Sequence, residues 1–153
     1  MNKIIISDTS CLITLSRIGQ LHILRRTFDY VYITQTVADE FQEALPEWIV
    51  IEQVHNLARL GQLKLMVDPG EASAIALALE TENSVLIIDE KKGRKIAMSL
   101  NIPVIGTLKV LLIAKEKGAI SSVRKLIVDL EKHSFRFHRS IVEEVLRLAN
   151  ELE

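Results

Sequence analysis

Val85-Leu86-Ile87-Ile88-Asp89 decides the fold: four aliphatic residues that end at a carboxylate read as a strand buried on both faces of a parallel sheet. The same pattern opens the chain in Ile4-Ile5-Ile6-Ser7-Asp8. A helix follows each. Thr9 and Ser10 can cap one whose Leu12, Ile13 and Leu15 face inward and which Gly19 ends, and Lys91 to Leu100 forms a basic one. Working outward, Tyr30 to Ile33 and Ile102 to Ile105 read as further strands, and Trp48 to Val54 as an edge strand. Helices are expected at Leu21–Arg26, Thr34–Ala44, Leu57–Leu65, Ala72–Glu82, Leu108–Lys117, Ile120–Glu131 and Ser140–Leu152. Asp68-Pro69-Gly70-Glu71 is a sharp helix start, with a capping residue, proline and an acid in the first turn. Strands alternating with helices predict right-handed crossovers and a three-layer α/β/α fold around a mostly parallel sheet. One domain over residues 1–153 is expected, closed by C-terminal helices at about 120–152.

Composition narrows the class. Of 153 residues 48% are hydrophobic but only 5% aromatic, so the core is aliphatic, and disordered or collagen-like chains are excluded. The longest apolar runs, such as Val110 to Ala114, fall far short of the roughly 18 residues of a membrane span. The run Lys3 to Ile6 stops at Ser7-Asp8 before a secretory leader could form, so a cytoplasmic protein with no membrane partner is expected. Cys11, the one cysteine, reads as a small buried hydrophobe, and no zinc-ligand spacing is present. Charge is polarised along the chain. Residues 1–90 carry 6 basic against 13 acidic side chains, and residues 91–153 carry 13 against 7.

In open parallel sheets the ligand crevice lies outside the carboxyl ends of the strands. Asp8 and Asp89 end two strands there, and Glu71 begins the helix that leads into the second. Each alone fits an ordinary helix-capping role. Glu40 lies several residues inside its helix, where no cap needs it, and Val37, Phe41 and Ala44 put the inward stripe nearer Glu40 than Asp39. Carboxylates brought to one sheet edge repel one another unless a cation neutralises them. Mg²⁺ or Mn²⁺ suits oxygen donors and can activate water against a phosphodiester.

These segments resemble a known family. Ile4-Ile5-Ile6-Ser7-Asp8-Thr9-Ser10, Val37-Ala38-Asp39-Glu40, the stretch Gly70-Glu71-Ala72-Ser73-Ala74-Ile75-Ala76-Leu77-Ala78 and Leu86-Ile87-Ile88-Asp89-Glu90-Lys91-Lys92-Gly93-Arg94 look like the successive motifs of a PIN domain. The similarity is nearest to a prokaryotic branch of largely unknown function, in which Gly106-Thr107-Leu108 and Phe135-Arg136-Phe137 also recur. VapC-type toxins are its better-understood relatives. The resemblance implies that Asp8, Glu40, Glu71 and Asp89 bind one or two Mg²⁺ or Mn²⁺ ions and that Ser10, or Thr9 beside it, hydrogen-bonds the first acid or a water. It also implies metal-dependent hydrolysis of single-stranded or structured RNA, with an antitoxin protein and a second copy of the chain as partners. The many toxins with two close aspartates at the fourth motif differ from this chain, where Glu90 and Lys91-Lys92 follow Asp89.

Lys92 and Arg94 stand where an RNA backbone approaching Asp89 would meet them, although a solvated helix face or an ion pair explains them equally. Phe135-Arg136-Phe137-His138-Arg139 interleaves aromatics with bases, which suits stacking on unpaired bases or simple anchoring of the tail. Thr107 reads as a helix N-cap or as a residue that faces the site. The aliphatic residues between Leu12 and Leu24 suit either a core or a dimer face. Two other functions compete with the nuclease: a receiver-like phosphoacceptor using Thr107 and Lys109 as switch residues, and a degenerate PIN fold that only binds RNA or protein.

Overall fold

The computed structural model describes residues 3–152. Five strands, β1 (Ile4–Ser7), β2 (Val31–Ile33), β3 (Ile49–Ile51), β4 (Ser84–Ile87) and β5 (Val104–Ile105), form one sheet in the order β3-β2-β1-β4-β5. All four pairings are parallel. The helices are α1 (Thr9–Arg17), α2 (Ile23–Phe28), α3 (Gln35–Phe41), α4 (Leu57–Lys64), α5 (Pro69–Glu80), α6 (Lys91–Ser99), α7 (Thr107–Glu116), α8 (Val123–Lys132) and α9 (Arg139–Leu148).

Two cores flank the sheet, as the three-layer expectation requires. Alternate strand residues face opposite ways. Ile5 and Ile87 join one core with Leu12, Leu15, Ile23, Leu24 and Leu111, while Ile6, Leu86 and Ile88 join the other with Ile75 and Ala97. Of the aliphatic residues between Leu12 and Leu24, Leu12, Leu15, Ile23 and Leu24 are fully buried in this core, whereas Ile13, Ile18 and Leu21 are half-buried against it. Cys11 is buried as expected. Helix α5 is buried along Gly70 to Ala78, which explains its run of small residues: it packs against α3, α4, β1 and β4 at once.

Several boundaries move for local reasons. Helix α3 stops at Phe41 instead of Ala44, because Gln42 turns left-handed at φ 61° and Pro46 follows. Pro103 has no amide to donate and so precedes β5, lending only its carbonyl to the Leu86 amide. Ser122 caps α8 by accepting from the Lys125 amide, which starts that helix three residues later than Ile120.

The strand order places the site. The chain lays down β1, β2 and β3 in one direction, then crosses back to add β4 and β5 on the other side of β1. The topological switch point thus falls between β1 and β4, where a ligand crevice is expected. The receiver-like alternative belongs to the order 2-1-3-4-5, which is not the order here.

Candidate active site

Asp8 stands at that switch point. Ser7 pairs with Ile87, and the Asp8 amide donates to the Ile87 carbonyl at 3.0 Å, so Asp89 lies one residue beyond the level of Asp8 on the next strand. Asp8 occupies the N-cap position of α1 but makes no capping hydrogen bond. It is 1% exposed, and neither of its carboxylate oxygens has a hydrogen-bond partner. Burial first, and the neighbouring Asp89 second, push its carboxyl up to about 7, which the nearby amides of Cys11 and Ser10 only partly offset.

The other acids are held by named partners. Asp89 follows β4 and receives two hydrogen bonds from Thr107, the amide to Oδ1 at 2.8 Å and the hydroxyl to Oδ2 at 2.6 Å. Gly106 is the N-cap of α7 and Thr107 its first residue, so Thr107 is no cap; its buried hydroxyl serves Asp89. Glu40, on α3, accepts from the Thr9 hydroxyl at 2.5 Å. Asp39 turns along its own helix to the Gln35 amide at 2.8 Å. Asp68 caps α5 through the Glu71 amide at 2.9 Å, which leaves the Glu71 carboxyl free of capping duty. That residue is 8% exposed and borders a shallow groove with Asp68, Glu90 and Lys92. Burial and the adjacent Asp68 carboxyl, with Asp8 and Glu90 adding, push Glu71 up to about 8.

Three glycines make room for three of these acids. A Cβ on Gly70 would fall 2.1 Å from Glu40 Oε1, one on Gly93 2.7 Å from Glu71 Oε1, and one on Gly106 2.9 Å from Asp89 Oδ1. Real Cβ atoms do not approach so closely, so any side chain at these positions displaces its carboxylate. Sequence reading passed over these glycines, although each stands inside a quoted motif. The hydroxyls of Thr107 and Thr9, each also open to a capping role in the sequence, are the donors that hold Asp89 and Glu40.

The four acids share one edge without converging. Among the described residues no three His, Cys, Asp or Glu side chains gather so as to hold a metal ion. The basic candidates lie on two sides of Asp89. Lys92 is exposed in the groove beside Glu71. Half-buried Arg94 donates from Nη1 to the Ile88 carbonyl at 2.9 Å, bracing the end of β4. Ser10 is exposed in a cavity that Asp89 and Arg94 also line; no hydrogen bond joins its hydroxyl to Asp8.

An α/β/α fold with acids at the switch point of a parallel sheet is shared by small domains of several functions, and comparison with known proteins makes the class specific. A family model described as DUF3368, a PIN domain, matches residues 4–151. The chain belongs to this PIN domain family. No functionally curated protein matches it. PIN domains are in general nucleases that use divalent metal ions and act on nucleic acid. Among the described residues no helix is long and apolar enough to cross a membrane.

Proposed function

We propose that the chain acts in the cytoplasm as one PIN domain, a Mg²⁺- or Mn²⁺-dependent endoribonuclease and the toxin component of a toxin–antitoxin pair. Asp8, Glu40, Glu71 and Asp89 would hold the ion. The observation that carries this reading is Asp8: a buried carboxylate at the switch point, with both oxygens unpartnered. Such a group needs a proton or a cation. An all-oxygen donor set suits a hard divalent ion, and the space beside Gly70, Gly93 and Gly106 lets three further carboxylates keep their positions.

When bound, the ion would supply an activated water and neutralise charge on a phosphodiester. The chain's own residues do the rest. Thr107 fixes Asp89 through two donors, and Thr9 orients Glu40. Arg94, tied to the Ile88 carbonyl, presents its remaining donors beside Asp89, and exposed Lys92 meets the RNA backbone on the Glu71 side. Ser10 contributes its hydroxyl from the start of α1 to the substrate. An antitoxin and a homodimer belong to the same proposal.

The test is cleavage of labelled single-stranded RNA by the wild type and Asp8→Asn, with Mg²⁺, Mn²⁺ or chelator. Cleavage by the wild type alone, abolished by chelator, is expected. Equal cleavage by the folded variant would overturn the reading. A binding-only role is favoured by one observation, the failure of the acids to converge; RNA binding by the wild type without cleavage under any metal would establish it.

A further inference from the structure

A cavity of about 650 Å³ opens on the far side of Asp89 from Glu71, between the start of α7 and the segment joining α8 to α9. That volume falls within the roughly 300–1,000 Å³ of small-ligand sites. We propose that it is a subsite for one unpaired nucleobase of an RNA strand whose backbone reaches Asp89, with Phe137 as the stacking surface and Lys109 and Arg136 as phosphate contacts. The proposal rests on the nuclease reading and adds to it how the strand is gripped.

The chemistry of the walls carries the assignment. Phe135, Phe137, Leu108 and Ile141 make the lining largely apolar, and both phenylalanines are partly buried against the core, so their rings are held in place. Arg17 sits over Phe135, with its guanidinium carbon 5.7 Å from the ring centroid, and among the described residues no cation stacks on Phe137. Phe137, half-buried against the core and lining the cavity, is an aromatic wall that accepts any base, because every base has a π-face. The rim is cationic. Among the described residues neither exposed Lys109 nor Arg136 has a carboxylate in ion-pair contact, and Arg136 donates to the Glu131 backbone carbonyl at 2.5 Å, which orients it. Asp89, the one acid among the described residues that line the cavity, is already engaged by both donors of Thr107. An apolar slot beneath cations, with a candidate metal-binding acid at one end, matches a nucleotide: base in the slot, phosphates on the rim. A neutral apolar peptide would leave the cations unanswered.

The experiment measures binding of fluorescent heptaribonucleotides by anisotropy in chelator, so that binding is read without cleavage. One base at a time is replaced by an abasic residue, in wild type, Phe137→Leu, Phe137→Trp and Lys109→Ala, each checked for wild-type melting behaviour. In the wild type an abasic residue at one position should weaken binding about five- to a hundredfold, as expected for loss of one stacked base. Phe137→Leu should weaken the intact strand comparably and erase the penalty at that position, Phe137→Trp should keep both, and Lys109→Ala should lower the salt slope by about 0.7. Unchanged binding by folded Phe137→Leu, or a penalty that persists in it, overturns the subsite and leaves the cavity to a protein segment. The two readings fail separately. A position-specific penalty without metal-dependent cleavage leaves the subsite standing, and cleavage without coupling to Phe137 removes the subsite alone.

Discussion

Gly70 and Glu40 are in contact at a distance that no other residue type at position 70 would permit: a Cβ there would lie 2.1 Å from Oε1 and 2.9 Å from Cδ of the glutamate. Gly70 lies in the first turn of α5 and Glu40 near the end of α3, so the pair ties the helix bearing Glu71 to the helix bearing Glu40. Alanine is the better helix former by up to about 1 kcal/mol, and the obstructing group is the end of a flexible side chain. Gly70→Ala should therefore keep or slightly raise the melting temperature while pushing Glu40 off Thr9, lowering kcat/KM for RNA by about tenfold or more. Melting and cleavage measured on one preparation check this; undiminished cleavage would show that Glu40 has no role in the chemistry.

Thr107 holds Asp89 with two donors of different origin, and the side-chain donor can be removed alone. Thr107→Val keeps the backbone amide and the shape but loses the hydroxyl bond to Oδ2. A hydrogen bond to a charged group contributes about 1.5–3 kcal/mol, and exposed Asp89 can turn to water instead. Melting should shift little, whereas kcat should fall about tenfold or more as the carboxylate loses its fixed orientation. Thr107→Ser should restore most of it. Rescue by serine separates loss of the hydroxyl from loss of packing.

How far the sequence speaks depends on the kind of interaction. Val85-Leu86-Ile87-Ile88 and Ile4-Ile5-Ile6 announce the central strands because burial on both faces leaves an uninterrupted aliphatic run. The sharp start at Asp68-Pro69 is local chemistry, and the structure shows that cap. What the pattern cannot carry is a partner distant in sequence. Thr9 with Glu40, Gly93 beside Glu71 and Thr107 on Asp89 are tertiary contacts, invisible to periodicity. The early end of α3 is of the same kind, because a left-handed glutamine at 42 has no distinctive sequence signal.

The acids at the switch point give stability an unusual slope with pH. Asp8 and Glu71 have folded pKa values of about 7 and about 8, above their ordinary 3.8 and 4.5. Between those limits the folded chain binds more protons than the unfolded one, so stability falls as pH rises from about 4 to 8. In chelator the melting temperature should drop over that interval, and Asp8→Asn should flatten the drop and melt higher than wild type at pH 8. Mn²⁺ or Mg²⁺ should raise the wild-type melting temperature more at pH 8 than at pH 5, where protons compete for the ligands. A flat profile with no metal response would remove the ion from the proposal.

Glu151 should behave in the opposite sense. Its carboxylate takes Lys115 at 2.9 Å, the Ser122 hydroxyl at 2.8 Å and the amides of Val123 and Arg124 at 2.7 and 3.0 Å, fastening the chain end to the start of α8. Burial opposes its charge, but these donors, Lys115 foremost, outweigh it and hold the carboxyl down at about 2. A lowered pKa contributes stability that is fully present above about 4.5 and is lost as pH falls toward 2. Glu151→Gln leaves Lys115 with a neutral partner and should cost about 2–3 kcal/mol at pH 7 by urea unfolding. The cost should shrink on acidification below pH 4, and RNA cleavage by the folded variant should match wild type, because the latch touches none of the four site acids. A pH-independent cost would mean that packing of the tail, and not the charge of Glu151, holds α9 in place.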